Sequence, residues 1–316
     1  DVVGRLPEFQ KTYAQGSGGV FSTTSGTSWG PKISELPNDA TYGGNTDNEY
    51  TQKFGKQQGK YYVPQRAAAG LDPWATPQAY DNAKDFFDTG ITWSNSLNVA
   101  QMLDKSSYSI SLGNTHQDGI ISSTGMDRYN VKVSADTKLT NNWSSGFTAN
   151  YITTSIDKAV TSGNGLLRTV YAAPPSYDLA GIPSHVDGNP YTQNSFRGSF
   201  DNAYWAMENN KFTEDTNRFF GNVYASYQTD FGTTNHKLNA KYLVGVDAYT
   251  THYVDSYGYG SNTGGGRGQI ENYGWTNATY NSLLTINYDW RINEDWGLNA
   301  VLGNEIIQSN RKKYYD

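Results

Sequence analysis

Four histidines (His116, His185, His236, His252) and four acidic residues (Asp201, Glu208, Glu214, Asp215) are the side chains of this 316-residue sequence most suited to catalysis or metal binding. The histidines are scattered without the paired spacing of a metal site, and no nucleophile sits in a recognisable hydrolase elbow. A glycosidase needs two carboxylates flanking the scissile bond, and the sequence singles out no two of these four. Solvated loop charge is the simpler reading, because carboxylates are mostly exposed. The glycine-rich run YGYGSNTGGGRG at 257–268 lacks the Lys-Ser/Thr pair of a phosphate loop and no helical pattern follows it, so it reads as a loop tip. NTDNEY at 45–50 offers oxygen ligands without EF-hand spacing. With no cysteine in the chain, thiolate zinc sites and a disulfide scaffold are excluded. The expectation is a protein that is not an enzyme, with no metal and no cofactor.

The chain is rich instead in flat amphipathic rings, with 25 tyrosines and 8 tryptophans against only 17% charged residues. Outside the alternating segments described next, Trp29, Trp74, Tyr171, Tyr177, Tyr204, Trp205 and Tyr257 are the candidate ligand-binding aromatics, since such rings suit the apolar faces of sugars at low entropy cost. The same rings serve equally to pack loops together or to meet another protein. The net charge of −6 without a basic stripe argues against a nucleic-acid partner.

Eight segments must position these rings, near 88–101, 105–114, 127–139, 143–156, 217–229, 236–250, 278–291 and 295–309. Each alternates apolar and polar residues with a period of two, the mark of a strand with one greasy and one wet face. Leu238, Ala240, Tyr242, Val244, Val246 and Ala248, for example, alternate with Lys237, Asn239, Lys241 and Asp247. The connections alternate short and long, with long loops near 157–216 and 251–277 and a loop region over 1–87. No apolar run reaches the 18 residues of a membrane helix, but a membrane barrel leaves no such run.

Trp143, Tyr227, Trp290 and Trp296 fall on the greasy faces beside the short turns, where a membrane barrel carries its interfacial aromatic girdle. The wet faces carry Lys132, Asp136, Lys138, Lys241, Asp247, Asp289 and Glu305, which belong against an aqueous or protein-filled lumen. The expected fold is all-β, an antiparallel transmembrane β-barrel segment with long extracellular loops, in contact with outer-membrane lipid. If the short turns are periplasmic, the last strand ends at the cell surface, so the eight strands are expected to be part of a larger barrel. Two other readings stay open: a secreted carbohydrate-binding or carbohydrate-cleaving β-protein, and a self-contained small outer-membrane barrel.

EFQKTYAQGSGGVF at 8–21, SWGPKI at 28–33, AKDFFDTGITWSNSLNVA at 83–100 and YSISLGNTHQDGI at 108–120 resemble the SusC/RagA family. So does the succession FFxTGxTxxNS, SxSLGNTxQxGI and R…VxxxxDTKLTxxW. The resemblance covers roughly the first half, and beyond about Leu179 only the barrel alternation is shared. It implies a TonB-dependent outer-membrane transporter whose 22-stranded barrel has a plugged lumen, with about eight of those strands here. It further implies a SusD-like surface lipoprotein as lid, the TonB complex acting through the plug, and import of oligosaccharides or, in some members, peptides. Plug, TonB box and the remaining strands are expected to lie outside this sequence.

Overall fold

A computed structural model describes residues 6–160, 165–233 and 235–316. Two bodies of contrasting physics emerge. The first is built from residues before about 91 and from the insertion at 159–210. It holds the two-residue ribbons β1 (Gly16–Ser17) with β2 (Val20–Phe21) and β3 (Tyr61–Tyr62) with β4 (Trp74–Ala75). Its helices are α1 (Glu49–Phe54), α2 (Pro64–Ala68), α3 (Asn82–Phe86), α4 (Leu166–Ala172) and α5 (Ala203–Asn209), with the small pair β9 (His185–Val186) and β10 (Asn189–Gln193). These helices are too short to stand alone and lean on caps. Asn48 caps α1 in a reciprocal box with Thr51, Pro64 opens α2, and Asn202 accepts from the backbone of Tyr204 and Trp205 at the start of α5.

The second body is one eight-stranded antiparallel meander: β5 (Thr92–Met102), β6 (Ser106–Asp118), β7 (Gly125–Lys138), β8 (Trp143–Lys158), β11 (Lys211–Thr229), β12 (His236–Tyr257), β13 (Gln269–Arg291) and β14 (Gly297–Tyr315). Each strand pairs with its neighbour in this order, and β5 and β14 form the two edges. The strands run on into the segments read as long loops. β12 reaches Tyr257 and β13 starts at Gln269, because the ladder of backbone bonds continues where the apolar alternation has stopped. Of the segment 251–277 only 258–268 remains a loop.

The hydrophobic core belongs to the first body alone. Leu36, Tyr61, Val170, Leu179, Phe196 and Trp205 are its most buried members. The sheet has no such core: Leu97, Val131, Phe147, Phe219, Val223, Val244, Leu302 and Ile306, all on one face, are exposed. Direct cross-strand partners share a face, so the register Val131↔Tyr151↔Phe219↔Ala248↔Ala278 fixes that face across five strands. Among the described residues no helix is long and apolar enough to cross a membrane.

Candidate functional site

The apolar face has two aromatic rims. At the short-turn end Trp143 sits opposite Tyr227 with ring centroids 5.0 Å apart, and Trp290 stacks on His236 at 5.7 Å, with Tyr288 beside them. Trp296 lies in the last short turn, exposed. At the other end stand Tyr129, Tyr151, Phe219 and Tyr280. Between Trp143 and Tyr151 the strand advances about 27 Å at 3.4 Å per residue. Beyond the second rim the same face turns polar. Ser155 donates to Asp215 at 2.6 Å, His116 pairs with Asp127 at 2.7 Å, and the Tyr151 hydroxyl donates to Asn217 at 3.0 Å.

The reverse face is wet, and its charges are satisfied across strands. Arg218 holds Asp247 through two bonds of 2.8 and 2.6 Å, the Tyr224 hydroxyl donates to Asp136 at 2.6 Å, and Asn281 donates to Glu305 at 2.7 Å. Toward the long-loop end this face changes character. The register rows Glu214↔Tyr253↔Tyr273↔Tyr315 and Thr216↔Thr251↔Trp275↔Lys313 place four aromatic rings side by side. Tyr253 and Tyr273 stack at 4.9 Å and 8°, and Trp275 lies 5.3 Å from Tyr253. Lys158 sits 4.4 Å over the Tyr253 ring and 3.3 Å from Glu214, while Arg311 covers Trp275 at 4.8 Å. The Tyr273 hydroxyl donates to Asp255 at 3.2 Å.

This platform borders a cleft of about 800 Å³ between sheet and first body, lined in part by Thr92, Lys158, Phe212, Asp255, Tyr257 and Tyr273. Thr92 on β5 and Tyr273 on β13 are six strand spacings apart along the sheet, about 29 Å. Their sharing one cleft means that the sheet curls around its wet face. Rings that stack, cations over rings, and carboxylates within one concave space suit a polar ligand with flat or apolar parts.

The seven aromatics expected at a ligand site part company here. Tyr257 ends β12 and lines the cleft, its ring 5.1 Å from Phe212. Trp29, 62% exposed beside Tyr13, and Tyr171, stacked on Phe9 at 5.9 Å, line a smaller groove of about 260 Å³. Three others are corrected to packing residues. Trp205 is 0% exposed with its indole donating to the Pro190 carbonyl at 2.8 Å, Tyr177 is 3% exposed against Phe196, and Trp74 is 7% exposed edge-on to Tyr62. Tyr204 packs edge-on to Phe86, half-buried, and desolvation raises its phenol pKa. Desolvation raises Tyr177 far more, and pushes Tyr50 up to about 12.

Tyr273 and Trp275 are not among the site residues expected from the sequence. The signal was present: the greasy register of β12 is even-numbered, so Tyr249, Tyr253 and Tyr257 fall on the wet face. The acidic candidates do not converge. Glu214 and Asp215 are consecutive strand residues on opposite faces, Glu208 lies 3.4 Å from His185, and Asp201 accepts bonds from Gln193, Ser261 and Asn262.

No family model and no curated protein matches this sequence. Among solved structures the chain is similar to the RagAB peptide importer in its 'open-open' state, with a TM-score of 0.59 at 17% identity over 75% of this chain and 27% of that one. The 'closed-closed' state gives a TM-score of 0.58 at 16% identity with the same coverage, and a RagAB peptide transporter structure gives 0.55 at 16% identity over 74% and 27%. This chain thus spans about a quarter of the length of those proteins, and at such identity the likeness is one of fold alone, an antiparallel all-β sheet.

Proposed function

We propose that this chain is part of an outer-membrane, TonB-dependent importer that captures oligosaccharides or short peptides beneath a SusD-like lipoprotein lid. The observation that carries the reading is the uncovered apolar face between two aromatic rims, backed by a concave wet face. Tilted by about 40°, the 27 Å between rims becomes roughly 21 Å of height, against the ~25 Å apolar band of membrane barrels. Eight strands 4.8 Å apart and 27 Å long between the rims make an apolar patch of roughly 1,000 Å², beyond the few hundred Å² that soluble monomers leave exposed. A secreted sandwich would set this face against a second sheet, and no element of the described residues covers it.

In this reading the wet face lines the lumen, the first body roofs the long-loop end, and substrate rests on the Tyr253, Tyr273 and Trp275 platform before a plug, drawn by TonB, releases it inward. No bond is made or broken. The test uses the full-length protein, purified from detergent-solubilised outer membranes with whatever lipoprotein accompanies it. Uptake of labelled oligosaccharides and of labelled peptides by cells is then compared between wild type and the double variant Tyr253→Ala, Tyr273→Ala. Loss of two stacking contacts at ~1 kcal/mol each predicts a roughly thirtyfold weaker apparent affinity. A protein soluble without detergent, or unchanged uptake in the variant at equal surface abundance, refutes the proposal.

A further inference from the structure

The cleft between sheet and first body holds a charge that the fold leaves unmatched. Asp118, Lys158 and Asp255 are the charged residues that line it. Asp118 has the Nε2 of His116 at 3.3 Å, and Lys158 has Glu214 at 3.3 Å. Asp255 makes no ion pair among the described residues, and accepts instead from the neutral hydroxyl of Tyr273 at 3.2 Å. Its direct partner across β12 and β13 adds to the imbalance. That partner is Glu271, a second carboxylate on the same face, which also makes no ion pair among the described residues. Like charges directly opposite one another in a ladder are destabilising. Nearby phenols feel the same field. Burial and the charge of Asp255 push Tyr273 up to about 12, and the charge of Glu271 is the main cause that raises Tyr315.

Aromatic residues surround this pair. Phe212 is the direct partner of Asp255 on β11, Tyr257 stands two residues further along β12, and Tyr273 stands two residues from Glu271 on β13, all on the wet face. Rings and carboxylates in one concave space suit an ammonium or guanidinium group, because ring faces attract the cation while carboxylates take its N–H bonds. The fold already builds one such arrangement beside it, with Lys158 4.4 Å over the Tyr253 ring and 3.3 Å from Glu214. A metal ion fits less well. Calcium or magnesium gathers about six to eight oxygens, and among the described residues no three acidic or histidine side chains come together to hold one. We propose that Asp255 and Glu271 form a cation subsite beside the aromatic platform, and that the ligand of the cleft carries an ammonium or guanidinium group, as a basic peptide or an amino sugar does. The inference rests on the import reading and narrows its substrates, since a neutral or acidic ligand leaves the like-charge pair unmatched.

The test measures equilibrium binding to the full-length detergent-solubilised protein, with its accompanying lipoprotein, for probes matched in shape and different in charge. One pair is the tripeptide alanine-lysine-alanine, blocked at both ends, and its norleucine counterpart. The other is a glucosamine trimer and its N-acetylated form. The measurement is made at low ionic strength and about pH 6, where carboxylates are ionised and amines protonated. In at least one pair the cationic member is expected to bind about tenfold more tightly than the neutral one, and the pair that discriminates assigns the source of the charge. The double variant Asp255→Asn, Glu271→Gln keeps both side-chain sizes and removes the repulsion. It is expected to keep the gel mobility of the folded barrel and to lose the preference, binding both members about equally. Equal binding of the two members in both pairs by the wild type, no binding of either cationic probe, or a preference that survives in the double variant overturns the proposal. So does calcium binding that the double variant loses while the organic probes show no preference, which would assign a metal site. None of these results decides the import reading, which falls on its own outcomes, solubility without detergent or uptake unaffected by loss of Tyr253 and Tyr273.

Discussion

Placing arginine at two adjacent positions of β11 separates the two faces of the sheet in one experiment. Val223 is 52% exposed on the apolar face, opposite Phe147 on β8 and Val244 on β12, midway between the rims. Asn222 points the other way, opposite Thr148 and Gly245. If the apolar face meets hydrocarbon, Val223→Arg puts a guanidinium near the bilayer midplane at a cost of about 2–4 kcal/mol. At 1.36 kcal/mol per decade that shifts the folding equilibrium by roughly thirtyfold to nearly a thousandfold. Asn222→Arg instead reaches into a space that already carries Arg218, Lys241 and Asp247, and should cost under about 0.5 kcal/mol, as for other substitutions away from packed features. The assay is urea-dependent folding of the full-length protein into lipid vesicles, read by the gel mobility of the folded barrel. Equal costs for the two variants, or a larger cost for Asn222→Arg, would refute the assignment of the faces and with it the membrane reading.

Other expectations concern the first body. Trp205→Ala empties a fully buried site and frees the Pro190 carbonyl, so the body should lose about 3–5 kcal/mol; limited proteolysis in denaturant reads this, and a variant that keeps its protease resistance while losing ligand affinity would return Trp205 to the binding site. Burial raises the phenols of Tyr61 and Tyr177 well above 10, whereas in the unfolded chain both ionise near 10. Their contribution is therefore fully present below pH 10 and falls as pH rises beyond it, by about 1.4 kcal/mol per pH unit for each group. Tyrosinate absorbance during alkaline unfolding should show two phenols that titrate only as the body opens, and a smooth titration of every tyrosine near 10 would contradict their burial.

The sheet was legible wherever one face was apolar and the other polar. Period two marked each of the eight long strands and put Trp143 and Tyr227 on apolar faces near the short turns, while their direct pairing across β8 and β11 is seen only in the structure. It stopped being legible at the long-loop end, where Thr216, Asn217, Thr250, Thr251, Thr276 and Asn277 make both faces polar while the backbone ladder continues unbroken. Residues 269–277 read as loop for that reason. The loop aromatics were harder still. Burial of Trp205 depends on α5, a seven-residue helix whose local signals are the Asn202 cap and Ala203 and Ala206 on its inner side. Such a short element has no periodicity long enough to show which side faces in.

The two edges tie these observations together. β14 offers 19 residues of backbone on its free side, with Leu298, Leu302 and Ile306 on one face and Glu305, Arg311 and Lys313 on the other. In water such a long edge is a template for uncontrolled pairing, and in hydrocarbon each unpaired backbone group costs several kcal/mol. Neither surrounding tolerates it, and no bulge, proline or helix among the described residues blunts it. The curl that brings Thr92 and Tyr273 to one cleft already bends the sheet toward closure, with the wet face inside. Further strands joined to β5 and β14 would pair both edges and continue the two aromatic rims around a larger circumference. In the proposed importer they would also complete the wall of a lumen opposite the platform, so that the geometry removing the edges would enclose the ligand as well.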